Sequence, residues 1–366
     1  MKILFCLFVV GHGLIHLMGF TKAFELGTIQ QLTKEITRPA GIFWLLCAFL
    51  FISAAILFFL KSEWLTFFAV PAIVISQILI IMTWQDAKFG SIPNFLIILV
   101  IIPVVAEIRF NKMVKAEINM LIKQPVAAQE LITREKLNNL PPVVHTWLRK
   151  SGVIGKPEIQ FVRLKQKGEM RTKQKGRWMK FSARQYFTVA KPQFVWQTSV
   201  NAFPLITLSG RDKFVDGQGH LLIKLLSLFT VAKSGNDKKM NTATMIRYLA
   251  EISWFPSAAL SKFIRWEPID SFSAKAIMEF QGVRAEGIFH FNPAGDFVRF
   301  TADRFMGNGK DAKPEKWLVE VTGYKEFHGY RIPYKNKVTW QLPTGDFNWA
   351  DIEITEIDFN VPEIYR

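Results

Sequence analysis

Arg247 and Glu251 stand four residues apart in the stretch 242–266, where Met245, Tyr248, Leu249 and Ile252 recur at helical spacing. On a helix that spacing brings the two side chains together as an ordinary ion pair. If the pair faces the hollow of a sheet instead of water, Arg247, Tyr248, Glu251 and Trp254 become candidate ligand-binding residues. The charged pair would hold a polar headgroup, and the two rings would line an apolar space.

A second pattern is electrostatic. Arg163, Lys165 and Lys167 alternate with Val162, Leu164 and Gln166, so a strand places the three cations on one face. Beyond Gly168, read as a turn, Arg171, Lys173, Lys175 and Arg177 repeat the alternation, and only Glu169 opposes them. One reading is a contact surface for anionic lipid headgroups, each cation contributing about 1 kcal/mol. The other is a solvated edge hairpin whose charges discourage strand-to-strand association. Nucleic acid is not an expected partner, because the stripe carries neither an RNA-recognition strand motif nor a DNA-reading helix.

His12 and His16 are also spaced four apart, on one face of an apolar helix. Such a pair suits either a buried metal, haem or proton site or hydrogen bonds to neighbouring helices. Two histidines do not complete a coordination set, and Glu107 is the only other ionisable group well inside the apolar segments. No metal and no other cofactor is therefore expected. HExxH, CxxC, GxSxG, Walker and GxGxxG patterns are absent, and His145, His220, His290 and His328 are scattered. No catalytic residue is assigned.

These residues lie on two dissimilar parts of the chain. A helix needs about 20 mostly apolar residues to cross a bilayer, and four stretches qualify: Leu4–Phe20, Ala40–Leu60, Trp64–Trp84 and Ile92–Ile108. The last is interrupted by Pro93, Pro103 and Glu107. The first resembles a signal peptide in length, but His12 and His16 break its apolar run and no small-residue cleavage site follows, so it is read as retained. Four spans put both chain ends on one side. That side carries Lys2, Lys61, Arg109, Lys112, Lys115 and Lys123, against Lys22, Lys34, Arg38 and Lys88 on the other. The positive-inside rule then places the later domain in the cytoplasm. Cys6 and Cys47 both fall in spans and say nothing about redox compartment.

The chain divides as residues 1–110, a membrane helical region; 111–140, a juxtamembrane linker or helix, with the water-facing part starting within it at about Pro125; and 141–366, an antiparallel β domain. Of the +16 formal charge, the first 124 residues hold 10 basic and 6 acidic side chains, so most of the excess lies beyond them. Pro141 and Pro142 open a short helix that Gly152 ends. Period-two stretches follow at 159–166, 178–187, 193–200, 213–215, 274–280, 284–291, 297–304, 317–327, 331–341 and 351–359. Residues 221–231 are too uniformly apolar to assign by period. Strands this close in sequence leave no room for parallel crossovers. The expected fold class is thus an N-terminal four-span helical bundle plus an α+β domain: a curved antiparallel half-barrel of about ten strands with a helical insert at 242–266 covering one face. The soluble tryptophans, among them Trp178, Trp196, Trp317, Trp340 and Trp349, either fill that core or line a cavity.

The runs Leu140–Gly152 (LPPVVHTWLRKSG), Arg247–Glu251 (RYLAE) with Trp254–Pro256 (WFP), and Gly329–Pro333 (GYRIP) resemble a bacterial family of unknown function, DUF6544. Gly13–Phe20 (GLIHLMGF) and Asp86–Pro93 (DAKFGSIP) resemble the membrane part of some members. The likeness implies a bacterial family, and with the apolar segments a bacterial inner-membrane location, and no activity. The tail Ile352–Pro362 and the hairpin at Gly329–Pro333 are more distantly similar to the lipoprotein-carrier half-barrels that hold acyl chains, which are usually periplasmic. The favoured expectation is a non-catalytic, membrane-anchored binding protein for a lipid or other amphiphile, with membrane lipids as partners. A structural or interaction protein with a filled core, and an enzyme acting on a membrane-derived substrate, stay open beside it.

Overall fold

The computed structural model describes residues 1–124, 130–235, 237–307 and 311–365, and the chain forms two compact units, Met1–Lys112 and Met113–Arg366. Pro125 lies outside the described residues.

The first unit is helical: α1 (Lys2–Ile15), α2 (Leu17–Ala23), α3 (Arg38–Phe59), α4 (Leu65–Met82), α5 (Trp84–Ala87) and α6 (Ser91–Ile122), the last continuing into the second unit. Four helical stretches, Lys2–Ala23, Arg38–Phe59, Leu65–Met82 and Trp84–Ile122, are long and apolar enough to cross a membrane. Their outward faces carry Ile42, Phe49, Phe67, Ile78, Phe95 and Leu99, all exposed; a helix on a water-facing bundle would turn polar side chains outward there. α3 starts where Thr37 Oγ1 accepts from the Ala40 amide and a proline occupies the first turn, both ordinary start signals. Close packing of α2 on α3 depends on Gly19, whose added Cβ would fall 2.2 Å from the Trp44 ring.

α6 runs unbroken through all three residues expected to interrupt it. Pro93 sits in the first turn, where the backbone N–H has no intrahelical partner. Pro103 is carried inside the helix, and Glu107 pairs with Lys61 at 2.7 Å.

The second unit holds α7 (Pro142–Lys150), α8 (Lys238–Glu251) and thirteen strands: β1 (Phe161–Met170), β2 (Met179–Thr188), β3 (Gln193–Phe203), β4 (Ile206–Val215), β5 (Gln218–Leu225), β6 (Phe229–Gly235), β7 (Ile264–Asp270), β8 (Ser273–Phe280), β9 (Val283–Phe291), β10 (Phe297–Met306), β11 (Lys313–Phe327), β12 (Tyr330–Leu342) and β13 (Gly345–Phe359). All pair antiparallel in one sheet of order β6-β5-β4-β3-β2-β1-β13-β12-β11-β10-β9-β8-β7, which does not close, since β6 and β7 are its two edges. The period-two reading is visible in β9, where Ala285, Gly287, Phe289 and Phe291 are buried in alternation.

The expected count of about ten strands is corrected to thirteen among the described residues. β5, β6 and β7 carry no clean alternation: β5 is half-buried along most of its length, β6 and β7 are edge strands, and β7 contains Pro268, which edge positions tolerate. A second correction concerns the basic stripe. β1 is sixth of the thirteen strands, between β2 and β13, so it is no edge hairpin. Gly168 is no turn either: it pairs with Phe181 on β2 and Ile352 on β13. Its role is close approach, because a Cβ there would meet the Asp351 carbonyl oxygen at 2.1 Å.

α8 begins where the Asp237 side chain accepts from the Met240 amide at 2.9 Å. It packs against β4, β5 and β6 and also against β9 and β10. In a flat sheet β5 and β9, nine strands apart, would be separated by roughly 40 Å, several times the width of a helix. One helix touching both requires the sheet to curl around it. Phe214 on β4 and Phe280 on β8 meet with ring centroids 6.4 Å apart, joining the two limbs. α7 seals another part of the core with Trp147, which packs on Trp266, Phe289, Phe291 and Phe297.

Candidate functional site

Between α8 and the inner face of the curled sheet lies a cavity of about 340 Å³, within the range of small-molecule sites. Its walls are mostly apolar, with Met170, Phe181, Leu221, Ile223, Val338 and Ile352 from the sheet, and with Trp196, Trp254, Trp317, Trp340 and Trp349.

A charged cluster is set into this apolar wall. The Arg247 guanidinium on α8 donates from Nε to Glu251 Oε1 at 2.8 Å and from Nη1 to Asp212 Oδ2 on β4 at 2.7 Å. Gln185 Nε2 on β2 donates to the other Glu251 oxygen at 2.8 Å. The guanidinium lies over the rings of Trp196 and Phe194, at 4.7 and 5.1 Å. All three charged side chains are at most 15% exposed. Burial raises the Glu251 carboxyl above the usual carboxylate range despite the opposing pull of Arg247 and Gln185. Burial works against the charge of Arg247 as well, but Glu251 and Asp212 outweigh it and hold the guanidinium charged.

Arg304 on β10 is a second cation at the cavity wall, itself partly buried. Its Nε donates to the Ala243 carbonyl of α8 at 2.9 Å, and its guanidinium stacks on Trp317 and Trp340 at 4.8 and 5.6 Å. Burial pushes it down to about 10, with Asp212 acting in the opposite sense. Around the same cavity, Asp212 Oδ1, Asn336 Oδ1 and the indole Nε1 atoms of Trp317 and Trp349 are buried without a hydrogen-bond partner among the described residues. Buried polar groups are normally paired. These two acceptors and two donors are polar points in an otherwise apolar wall.

Of the four candidate ligand residues, Arg247, Glu251 and Trp254 line the cavity. Tyr248 points into the core, packed on Phe187 and Phe255, and donates to the Thr188 carbonyl at 3.0 Å. Asp212, Gln185, Arg304 and Asn336 escaped the sequence reading. Asp212 shares a strand face with Gly210 and Phe214 on β4, whose period-two signal in the sequence begins only at position 213. Arg304 was placed on a strand but had no visible partner in sequence.

The seven stripe cations divide into two groups. Arg163, Lys165 and Lys167 pair across strands with Asp358, Glu356 and Glu353 of β13, at 2.9, 2.6 and 3.3 Å. Arg171 donates from Nε to the Asn348 carbonyl at 2.7 Å and stacks on Trp178. Lys173, Lys175 and Arg177 are exposed in the loop between β1 and β2.

In the helical unit, His12 Nε2 lies 3.0 Å from Asn94 Oδ1 on α6, and His16 Nε2 lies 2.9 Å from Ser76 Oγ on α4. Asn94 Nδ2 in turn donates to Ser76 Oγ and Gln77 Oε1. The histidines thus tie three helices together by hydrogen bonds. Among the described residues no three His, Cys, Asp or Glu side chains converge to hold a metal.

The profile of DUF6544, described as a family of unknown function, matches residues 130–352. The chain belongs to DUF6544. That match covers most of the sheet unit, including Arg247, Glu251, Asp212 and Arg304, so the cavity lies inside the DUF6544 region. No curated protein matches the chain in sequence. Among solved structures, it is similar to a LolA superfamily protein from Nitrosomonas europaea, at 8% identity over 60% of this chain and 94% of that one, with a TM-score of 0.34. It is also similar to a DUF1329 family protein from Desulfovibrio piger, at 10% identity over 60% and 92%, with a TM-score of 0.36. A third likeness is to an outer-membrane lipoprotein-sorting protein domain from Vibrio parahaemolyticus, at 9% identity over 55% and 86%, with a TM-score of 0.31.

Proposed function

We propose that this protein is a membrane-anchored, non-catalytic binding protein for a lipid or other amphiphile. The observation that carries the reading is the cavity between α8 and the sheet, whose wall is apolar except for a buried charged cluster and four unpartnered hydrogen-bonding atoms. An apolar chain would gain about 25 cal/mol for each Å² it removes from water there. A polar head would lie against the charged cluster of Arg247, Asp212 and Glu251. A structural protein with a filled core has no use for such a space. The four long apolar helices support a multi-pass anchor, and Arg109, Lys112 and Lys115 in the C-terminal half of α6 support a sheet unit on the cytoplasmic side of the inner membrane.

The enzyme alternative has one observation in its favour, the raised carboxyl of Glu251 at a cavity wall. Its two oxygens are already committed to Arg247 and Gln185, which leaves it poorly placed to move a proton.

The test is native mass spectrometry of the full chain after mild detergent extraction. A co-purifying amphiphile that is lost on denaturation supports the binding role. An apo mass, with no thermal shift across a panel of fatty acids, lysolipids and phospholipids, overturns it.

A further inference from the structure

Five large apolar side chains are exposed at neighbouring hairpins of the sheet unit. Phe203, Leu205 and Ile206 form the turn between β3 and β4, at 60, 73 and 37% exposure; Phe229 and Val231 open β6 after the β5–β6 turn, at 65 and 61%. The strand pairing brings these turns to one end. Phe203 pairs with Ile206, Leu208 with Leu225, and Leu225 with Phe229. The same end carries the β1–β2 loop, because Met170 pairs with Met179 and Phe181 pairs with Val200 near the tip of β3. That loop holds Lys173, Lys175 and Arg177 and no acidic residue. Arg177 lies 5.7 Å from the centre of the Phe203 ring, so cations and apolar tips adjoin.

The tip itself is built at a conformational cost. Leu205 adopts φ +66°, a left-handed conformation that glycine or asparagine takes far more readily than leucine. A polar turn residue would relieve both the strain and the exposure of a large apolar side chain to water, so the leucine serves something outside the fold. Apolar tips beside cations match the two layers of a bilayer surface, acyl chains beneath anionic headgroups. A protein partner would need a broader flat patch, and an anion in solution would have no use for Leu205 or Phe229.

We infer that this end of the sheet is a membrane-docking rim: Phe203, Leu205 and Phe229 enter the acyl boundary of an anionic bilayer while Lys173, Lys175 and Arg177 contact its headgroups. Met170 and Met179, which flank the basic loop, and Thr172 within it also line the cavity, so the rim adjoins it. The rim stands independently of what the cavity holds.

The experiment reads the water exposure of the tip in the full chain. A Leu205→Cys variant, with Cys6 and Cys47 replaced by alanine, is labelled with an environment-sensitive fluorophore and reconstituted in vesicles of phosphatidylcholine alone or with phosphatidylglycerol. A second variant carries the label at the exposed Glu279. With phosphatidylglycerol present, the label at 205 is expected to shift to the blue, lose iodide quenching and gain quenching by brominated acyl chains, while the label at 279 does none of these. Adding Lys173→Gln, Lys175→Gln and Arg177→Gln is expected to abolish the shift. A label at 205 that stays equally open to iodide in detergent and in both vesicle types overturns the rim, even if an amphiphile is found in the cavity. A shift of the same size at 205 and 279 also overturns it, as a non-specific effect of the vesicle.

Discussion

Arg247 Nη1 lies 2.7 Å from Asp212 Oδ2, a buried contact that ties the helix inside the curl to the β4 limb of the sheet. The same guanidinium also holds Glu251, so one largely buried cation is shared by two carboxyl groups. Replacing Arg247 with alanine leaves both uncompensated. We expect Arg247→Ala to destabilise the sheet unit by about 3–5 kcal/mol, seen as faster hydrogen exchange along α8. Asp212→Asn, which keeps the shape and one acceptor, should lose clearly less. Equal losses in the two variants would show that the cluster is not the α8 clamp.

Filling the cavity should separate binding from folding. Leu221 lines it and is half-buried, so Leu221→Trp has room to place its ring there. The expected outcome is loss of the co-purifying amphiphile in native mass spectrometry, with a melting temperature at least equal to that of the unliganded wild type. Retention of the ligand at wild-type occupancy would place the binding site elsewhere.

Asp296, in the β9–β10 turn, joins Lys150 of α7 at 2.8 Å and Arg331 of β12 at 2.6 Å. Burial would raise its carboxyl, but Lys150 and Arg331 outweigh this and hold it below the usual range. A depressed carboxylate contributes stability that is present above its unfolded value of about 3.9 and is lost as pH falls through the folded value. Asp296→Asn should therefore cost about 1 kcal/mol at neutral pH, the partners being partly exposed, and the gap to wild type should close in acid. Urea titrations of both proteins at several pH values would check it; a gap that widens in acid would refute the assignment.

Gly168 lies mid-strand, where a Cβ would press on the Asp351 carbonyl and the Phe181 ring. The ring can turn, but the carbonyl is part of the β1–β13 ladder. Gly168→Ala should thus destabilise the unit by roughly 1–3 kcal/mol and speed amide exchange in β1 and β13 more than in β9.

Asn94 is the hub between His12, Ser76 and Gln77. Asn94→Leu should lower the stability of the helical unit by about 1 kcal/mol, measured as increased sensitivity to sodium dodecyl sulfate unfolding. A variant as resistant as wild type would make the network dispensable.

Some of this was legible from residue order alone. Periods are local: four long apolar runs, the two-residue alternation of strands such as β9, and the helical spacing through Arg247 and Glu251 follow from which side chains a helix or strand places on one face. The antiparallel sheet follows from the short connections between strands. The edge strands β6 and β7 and the half-buried β5 were not legible, because a strand with no fully buried face has no reason to alternate. Pairings between distant strands were also beyond reach. The stripe reads as a free charged surface until β13 arrives beside β1 with Asp358, Glu356 and Glu353. Arg247 has one visible partner in sequence and acquires Asp212 only because the sheet curls around α8. Arg304 likewise meets Trp317 and Trp340 through neighbouring strands and α8 through the curl. Local pattern determines which face a side chain occupies; only the folded sheet decides what stands opposite it.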